Sequence, residues 1–407
     1  MLQQLSNDFL VELGRQYGTP LYVYHAEKIK EQFNKLQTAF ADVDARFFYA
    51  CKALTNISVL RYVQSIGCNI DCSSVNEVLL AIRAGFTPQQ ILYTSNNIGF
   101  DELEAVAAHS VNINIDSLSN LRKFGEKFGS SYPVGVRLRP NIMAGGNLKI
   151  STGHDGSKFG VPLEQVNEVL QIVRDTNVWI RGLHIHTGSD IKDVEVFVKG
   201  VEILFGLSEH FPKLEFLDLG GGFKVAYKPG DAETDINLLG EKLGDALSAF
   251  ENRINRKIQL WFEPGKFLVS EAGHFIASVN VIKETANVIF AGLNTGLNHL
   301  IRPMFYNAWH TIENISHPTA PVKKYTVVGN ICETDTFATD RDLNEIREGD
   351  YLVFRNAGAY CFEMSSNYNS RYKPAEILVE NGKPRLIRKA DVFDDLLRNQ
   401  VLTEETS

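Results

Sequence analysis

The stretch Arg46-Phe-Phe-Tyr-Ala-Cys51 is a short apolar run, rich in aromatic residues, that ends directly before a charged residue, Lys52. Its length and composition are typical of a buried β-strand. From here to about residue 265, similar runs alternate with longer stretches of helical pattern. There are eight such runs: Arg46–Cys51, Cys68–Cys72, Ile91–Thr94, Val111–Ile115, Val134–Leu138, Ile180–Ile185, Leu214–Leu219 and Ile258–Phe262.

Eight strand-helix units over about 220 residues predict a (β/α)8 barrel, the TIM-barrel architecture. In such barrels the functional groups lie where the strands end and the loops begin. A doubly wound parallel sheet is the alternative, and it is less favoured because no GxGxxG pattern follows the first strand.

The rest of the chain has a different pattern. After residue 270 little helix separates the apolar runs, which predicts a C-terminal all-β domain over residues 271–407 that follows a barrel over residues 26–270. Asn381-Gly382 favours a tight hairpin turn between two of these runs. We expect residues 1–25, with an amphipathic helix over Ser6–Gly18 and a strand over Leu21–Tyr24, to pack with the C-terminal domain. The C-terminal runs are Phe275–Lys283, Val288–Leu293, Tyr325–Cys332, Tyr351–Arg355, Ala375–Val379 and Leu386–Arg388.

Composition narrows the functional classes. The chain has 407 residues with 44% hydrophobic content, which suits two globular domains. Its net charge of −8 is spread without long blocks of like charge, which argues against nucleic-acid or membrane partners. The N-terminus lacks the pattern of a secretory signal, and the five cysteines form no CxxC pair, so we expect reduced thiols and a cytoplasmic location.

Lys52 is the first candidate catalytic residue. It follows the first barrel strand, where alternation would place it on the same side as Phe48 and Ala50. A lysine at this rim can form a Schiff base if its pKa is lowered. The alternative is a surface lysine at a strand end.

Two further motifs follow the seventh and eighth strands. Gly220-Gly-Gly222 suits the close approach of backbone N–H groups to a phosphate, although a tight turn would also need glycines. Glu263 follows Trp261 and Phe262, and a buried carboxylate there requires a partner. A protonated pyridine nitrogen would serve, and so would Lys266.

The sixth strand contains His184 and His186, which share a face at a spacing of two. Such a pair can bind a metal ion, so a metal-dependent barrel hydrolase is a rival interpretation. It ranks lower because no clear set of carboxylate and histidine residues elsewhere completes the site.

The predicted β domain adds fewer signals. Cys332-Glu333 and Ala357-Gly-Ala-Tyr360 close predicted strands, where side chains can project from loops. Cys332 alone could equally be a buried, inert thiol. Arg302 could equally belong to a structural ion pair, and Tyr306 could equally be a core aromatic residue.

Together these segments resemble the alanine-racemase-like, barrel-type decarboxylases that use pyridoxal 5′-phosphate (PLP), over nearly the whole chain. Taken singly several of the motifs are weak, but their order and spacing make the resemblance specific. The segments that carry it are Phe48–Ala53, Gly153–Gly160, His186–Ser189, Gly220–Gly222, Glu263–Gly265, Leu300–Pro303, Cys332-Glu333 and Ala357–Asn369.

The resemblance implies a fold, a barrel followed by a β domain, and a set of cofactor ligands. Lys52 is implied as the covalent attachment point and His186 as the residue that stacks on the cofactor ring. Glu263 is implied as the partner of the pyridine nitrogen. The other implied cofactor contacts are the phosphate ligands Ser189, Gly220, Gly221 and Gly222, together with Asp71, Arg137, Pro264, Gly265, Lys266 and Tyr360.

It also implies a reaction, the decarboxylation of meso-2,6-diaminopimelate to L-lysine as the last step of lysine biosynthesis. Cys332 would be the proton donor, contributed across a homodimer interface. The alternatives are decarboxylation of ornithine, arginine or carboxynorspermidine, or PLP binding without catalysis. The implied substrate contacts are Lys266, Arg302, Tyr306, Glu333 and Tyr360.

Two positions depart from the family pattern. Lys266 stands where relatives usually have arginine, and a lysine offers a point charge where arginine offers a planar fork. Phe290 stands where relatives often have aspartate, and we have no physical account of that change.

Overall fold

A computed structural model describes residues 5–141 and 157–401 of the chain. The chain divides into two compact units, residues 29–269 and residues 1–28 with 270–407. The strands are β1 (Leu21–His25), β2 (Ala45–Ala50), β3 (Asn69–Cys72), β4 (Ile91–Thr94), β5 (Asn112–Ile115), β6 (Val134–Arg139), β7 (Val161–Pro162), β8 (Ile180–Ile185), β9 (Phe216–Asp218), β10 (Gln259–Phe262), β11 (Gly273–Glu284), β12 (Ile289–Leu293), β13 (Ile312–Asn314), β14 (Val322–Val328), β15 (Thr336–Asn344), β16 (Tyr351–Phe354), β17 (Ala375–Glu380) and β18 (Lys383–Arg388).

Several of the α-helices among the described residues begin at a residue whose side chain caps them. α4, for example, begins after Ser74, whose side chain accepts from the Glu77 N–H, and ends at Gly85 in the left-handed conformation. The helices are α1 (Asn7–Tyr17), α2 (Ala26–Ala39), α3 (Ile57–Ser65), α4 (Val75–Ala84), α5 (Phe100–Ala107), α6 (Leu118–Phe128), α7 (Val166–Thr176), α8 (Glu195–Ser208), α9 (Ile236–Ile254), α10 (Lys266–Val269), α11 (Arg302–Tyr306) and α12 (Phe393–Leu397).

The first unit contains the predicted barrel. Eight parallel strands pair in the order β2, β3, β4, β5, β6, β8, β9, β10, and the pairing of β10 with β2 closes the ring. All eight predicted strand runs are confirmed, because parallel strands buried on both faces give uninterrupted apolar sequence. Phe48, Phe216 and Trp261 pack together inside the barrel, and the Phe216 and Trp261 rings are stacked.

The second unit is a mixed sheet in the order β15, β14, β12, β11, β1, β17, β18, with β16 pairing β11. β1 comes from the N-terminus and lies between β11, antiparallel to it, and β17, parallel to it. Leu10 and Leu13 of α1 pack on the same core as Ile276 and Ile377. The helix over residues 6–18 is confirmed, with Ser6 as its N-cap.

The structure corrects three details of this unit. The predicted strand over Tyr325–Cys332 is wrong at its end, since β14 stops at Val328 and Cys332 lies in the following loop. β13 and β15 were not predicted. The hairpin is confirmed, because Asn381 and Gly382 have φ values of 51° and 71° and join β17 to β18. Among the described residues, none of the helices combines the length and apolar character that crossing a bilayer requires.

Candidate active site

Lys52 lies at the rim of the barrel, where the strands end. β2 stops at Ala50, and Lys52 occupies a 3-10 turn over Cys51–Ala53, so strand alternation does not extend to it. Its Nζ lies 3.0 Å from Asp71 Oδ2 and 3.4 Å from Ser73 Oγ. The ammonium group is therefore held over the barrel mouth by Asp71 of the next strand, β3, and by Ser73 directly after it.

Asp71 is the buried partner of this lysine. Its side chain is 0% exposed, against 42% for Lys52. Burial raises the pKa of the Asp71 carboxyl, and the charge of Lys52 opposes part of that rise. The other carboxylate oxygen, Oδ1, is buried without a hydrogen-bond partner among the described residues. The pair can hold the lysine amine in one place while the amine faces solvent.

A layer of polar side chains crosses the barrel below this rim. Thr94 Oγ1 donates to Glu263 Oε1 at 3.1 Å, and Asn114 Nδ2 donates to Asp218 Oδ2 at 3.1 Å. Asn114 Nδ2 also lies 3.2 Å from Thr94 Oγ1. His184 Nε2 lies 3.6 Å from Glu263 Oε1. These groups come from β4, β5, β8 and β9 and from the residue after β10, and they place Glu263 against a polar floor.

The electrostatics of this layer favour a positively charged ligand. Burial raises the pKa of Glu263 well above its ordinary value, and the nearby carboxylates Asp218 and Asp71 raise it further. Burial also raises the pKa of Asp218 to about 7. Arg137 is buried among the same carboxylates, and burial lowers its pKa while Glu263 opposes that shift. The positive charges near Glu263 therefore do not offset its burial and the neighbouring carboxylates. A cation placed against Glu263 would return its pKa toward the ordinary range.

Gly220, Gly221 and Gly222 bring the loops after β8, β9 and β10 together. A Cβ on Gly221 would lie 2.2 Å from the carbonyl oxygen of Glu263, and one on Gly222 would lie 2.2 Å from that of Gly188. The Gly221 N–H donates to Nδ1 of His186 at 3.2 Å. The close approach of neighbouring backbones therefore explains why Gly221 and Gly222 are glycines. Phosphate binding by the same loop stays a prediction.

His186 and Lys266 lie on the loops that these glycines join. Burial lowers the pKa of His186 to about 3, so its imidazole is neutral and presents a flat, uncharged ring. Lys266 Nζ donates to Asp190 Oδ1 at 2.7 Å, next to Ser189. The residues between Glu263 and Lys266 use their carbonyls within the rim, because Pro264 accepts from the Ala50 N–H and Gly265 from the Leu268 N–H.

The proposed metal pair does not form in this structure. His184 is fully buried inside the barrel, while Nδ1 of His186 accepts from the glycine loop. A different trio, His184, Asp218 and Glu263, has donor atoms within 4.8 Å of one another. His184 is neutral, since burial lowers its pKa well below the ordinary value.

The second unit holds Cys332 and Glu333 in a loop between β14 and β15. The Cys332 side chain is exposed, and its Sγ lies 3.4 Å from Asn369 Oδ1 and 3.6 Å from Tyr368 Oη. Tyr368 Oη donates to Glu333 Oε1 at 2.9 Å. The interpretation of Cys332 as a buried thiol is wrong, and its reactivity stays a prediction.

Asp335 holds this loop in place. Its buried carboxylate accepts from the N–H groups of Leu297 at 2.6 Å and Ile331 at 3.0 Å, and its own carbonyl accepts from Gly329. Residue 297 lies in the segment that leads into α11. The loop that carries Cys332 is therefore tied to the segment that leads to Arg302.

Arg302 begins α11 and is buried. Burial raises the pKa of the Cys361 thiol to about 11, and the Arg302 guanidinium opposes that rise. Tyr306 ends the same helix, partly buried and in edge-to-face contact with Phe305. Tyr360 adopts the left-handed conformation with φ 56°, which is unusual for an aromatic residue and marks a constrained loop.

The barrel rim fits a planar, cationic heteroaromatic group. It offers a lysine for covalent attachment, a buried carboxyl group whose raised pKa a cation would lower, and a neutral imidazole. PLP has this chemistry, with an aldehyde, a basic pyridine nitrogen and a phosphate. Residues 26–270, more than half of the chain, match the family model described as the pyridoxal-binding domain of pyridoxal-dependent decarboxylases.

The chain belongs to the pyridoxal-dependent decarboxylases. It therefore uses PLP as its cofactor. It is 40% identical over 96% of its length to the diaminopimelate decarboxylase of Methanothermobacter thermautotrophicus, 93% of which is covered. It is 35% identical over 95% of its length to that of Aquifex aeolicus, 92% of which is covered.

A solved decarboxylase structure gives the same result. The diaminopimelate decarboxylase of Helicobacter pylori, in complex with L-lysine, superposes with a TM-score of 0.88 at 30% identity, covering 96% of this chain and 98% of that one. The predicted architecture, a (β/α)8 barrel with a β domain, is confirmed.

Sequence reasoning missed several residues that contact the candidate residues. Thr94, Asn114 and Asp218 supply the polar floor, and Tyr368 and Asn369 contact the exposed thiol. The signal for the floor was available, because polar residues that interrupt apolar barrel strands need partners inside the barrel.

Two segments singled out in the sequence are only partly accounted for by the structure. Residues 153–156 of the predicted Gly153–Gly160 motif lie outside the described residues, while Phe159 packs its ring 4.7 Å from the Arg137 guanidinium. Phe290 lies in β12 opposite Lys283, and nothing in the structure explains why relatives have aspartate there.

Proposed function

We propose that the protein decarboxylates meso-2,6-diaminopimelate to L-lysine and CO2 with the help of PLP, the last step of lysine biosynthesis. The observation that carries this is 40% identity across 96% of the chain with a diaminopimelate decarboxylase. The geometry of the barrel rim supports the same chemistry, since Lys52 and Glu263 offer the two groups that PLP requires at opposite ends of its ring system.

Lys52 is the residue that would hold the cofactor covalently. Its amine is exposed enough to react and is held by Asp71 at 3.0 Å. An amine must lose its proton before it acts as a nucleophile. Asp71 is placed to accept or share that proton, because burial already raises its pKa.

Glu263 is the residue that would hold a proton at the pyridine nitrogen. Its carboxylate is buried, receives a hydrogen bond from Thr94, and has its pKa raised by burial and by Asp218. When bound, PLP supplies the electron sink that accepts the electron pair left by departing CO2, and a protonated ring nitrogen strengthens that sink.

The phosphate would be held at the joined loops after β8, β9 and β10. Ser189 supplies a hydroxyl, and Gly220, Gly221 and Gly222 supply backbone N–H groups near a barrel position that often binds phosphate. Lys266 is already paired with Asp190 at 2.7 Å, so its contribution is a charge placed beside the loop. His186 would lie flat against the cofactor ring.

Substrate recognition would fall to Arg302, with Tyr306, Glu333 and Tyr360. Arg302 is buried, and a guanidinium in a closed site binds a carboxylate with two parallel hydrogen bonds. Diaminopimelate carries a second carboxylate far from the reacting carbon, and ornithine and arginine do not. Arg302 therefore favours diaminopimelate over those substrates.

Cys332 would give its proton to the carbon that has lost CO2. We propose that it does so in the active site of a second subunit, in a homodimer. The exposure of the Cys332 side chain supports this. The exposed thiol also favours a reducing compartment, the cytoplasm.

The experiment is to incubate purified protein and PLP in parallel with meso-diaminopimelate, ornithine, arginine and carboxynorspermidine. We expect CO2 release from diaminopimelate at least tenfold faster than from the others, with L-lysine as the product, roughly what one charge-assisted contact contributes. Faster release from another substrate would overturn the assignment. PLP binding without any CO2 release would support a non-catalytic binding protein instead.

A further inference from the structure

The contacts of Cys332 extend beyond the residue itself. Sγ lies 3.6 Å from Tyr368 Oη, and the same hydroxyl donates to Glu333 Oε1 at 2.9 Å. One hydroxyl thus links the thiol to the neighbouring carboxylate. Asn369 Oδ1 also contacts the Cys332 sulfur, at 3.4 Å.

The backbone around Tyr368 is constrained in a way that serves these contacts. Asn369 and Ser370 both have positive φ, 57° and 53°, and consecutive left-handed residues other than glycine are uncommon. The turn is anchored by Asn367, whose side-chain amide donates to Asp391 and to the Arg371 carbonyl. Such conformations persist where surrounding contacts enforce them, often at functional sites.

We propose that Tyr368 is a positioning residue for the proton-donating thiol, its hydroxyl holding Glu333 while Cys332 is protonated and turning to the sulfur once the proton has left. This inference rests on the proposed role of Cys332 in the decarboxylation. In the step itself the S–H bond breaks, a C–H bond forms on the substrate carbon, and the sulfur keeps the electron pair. The tyrosine O–H bond stays intact, and only its hydrogen bond moves from the carboxylate to the thiolate.

The charges that face the sulfur agree with this arrangement. The contacts from Asn369 and Tyr368 lower the pKa of Cys332, and the charge of Glu333 opposes them. The pKa of Tyr368 is raised to about 12 by its contacts with Cys332 and Glu333, so its hydroxyl keeps its proton at neutral pH. Tyr368 and Glu333 should therefore shift the pKa of the Cys332 thiol in opposite directions.

The test is the pH profile of Cys332 alkylation by iodoacetamide in the PLP-loaded enzyme without substrate, followed by mass spectrometry of the peptide. The other four cysteines are buried, so the reaction reports on Cys332. We expect Tyr368→Phe to raise the midpoint by about one pH unit, the size of one hydrogen bond to a thiolate. We expect Glu333→Gln to lower it.

Tyr372→Phe is the matched control, because Tyr372 is an exposed tyrosine of the same segment, while the hydrogen bonds described for the Cys332 thiol go to Tyr368 and Asn369. Its midpoint should match the wild type. In turnover, Tyr368→Phe should lower kcat for diaminopimelate about tenfold and leave KM within about threefold.

Three outcomes would overturn the proposal. They are an unchanged midpoint in Tyr368→Phe, shifts of the same sign in Tyr368→Phe and Glu333→Gln, and a shifted midpoint with unchanged kcat. Because alkylation is measured without substrate, a wrong substrate assignment leaves the midpoints unaffected. Failure of the proposed function would therefore appear as missing CO2 release, separately from the thiol result.

Discussion

Replacing Glu263 by glutamine should produce two effects of opposite sign. The change keeps the shape of the side chain and its contact with Thr94, and it removes one buried negative charge. In the proposed complex with PLP, that charge would be the partner of the protonated ring nitrogen. Losing one member of a buried charge pair costs about 3–5 kcal/mol. If that cost falls on the transition state, kcat should decrease roughly 150-fold to 5,000-fold.

In the enzyme without PLP, the same substitution should reduce the loss of stability at high pH. The folded-state pKa of Glu263 is raised above its unfolded value by burial and by Asp218. A carboxyl group of this kind contributes stability that is fully present below its unfolded pKa, about 4.5, and is lost as pH rises through the folded pKa. Asp218, with a pKa raised to about 7, behaves in the same way and remains in the variant.

The assays are kcat for CO2 release at saturating PLP, and the free energy of unfolding of the PLP-free protein in urea at pH 5 and pH 8. Stability should fall between these two pH values in both proteins, and by less in Glu263→Gln. Glu251→Gln is the control, since Glu251 is a buried carboxylate of α9 that binds the Ile258 N–H away from the rim. A kcat within tenfold of wild type with PLP bound, or an unchanged pH dependence of stability, would refute the reasoning.

Four further changes test other parts of the site. Lys52→Ala should abolish the covalent attachment of PLP, read from its visible absorbance, and nearly all turnover, because no other residue is proposed to form the link. Mixing inactive Lys52→Ala dimers with inactive Cys332→Ala dimers should restore at most about a quarter of wild-type activity if subunits exchange at random, and no recovery despite demonstrated exchange would mean that one chain builds each site. Arg302→Met should cost about 2–5 kcal/mol in kcat/KM for diaminopimelate and little for trace activity on ornithine, and an equal loss for both substrates would make Arg302 structural. Gly221→Ala should destabilise the protein by about 1–3 kcal/mol in urea unfolding, because its Cβ would meet the backbone carbonyl of Glu263 at 2.2 Å, and an unchanged midpoint would show that the rim yields.

The barrel could be predicted from the sequence because its strands are simple in composition. Each strand is covered on both faces, so each appears as a continuous apolar run whose position is unambiguous. β15, over Thr336–Asn344, could not be found in this way. It is an edge strand with two exposed aspartates, Asp340 and Asp342, and charged side chains on an edge strand oppose further pairing.

The site was harder to predict than the fold. Residue types at strand ends indicated Lys52 and Glu263, but strand alternation failed at Lys52 because a 3-10 turn intervenes. The end of β14 was misjudged because Ile331 and Cys332 continue the apolar pattern. Asp335 ties that segment into a loop instead, through contacts with residues nearly 40 positions away.

The position of β1 sets an order of events during synthesis on the ribosome. β1 leaves the ribosome early, yet its parallel partner, beginning at Ala375, is made more than 350 residues later. At about 5–20 residues per second this delay is roughly 20 to 70 s. All of residues 29–269 are made within that interval, and β11, the antiparallel partner of β1, follows them directly. A nascent chain stalled before residue 375 should therefore carry a folded barrel and a β1 strand whose β17 edge is still unpaired.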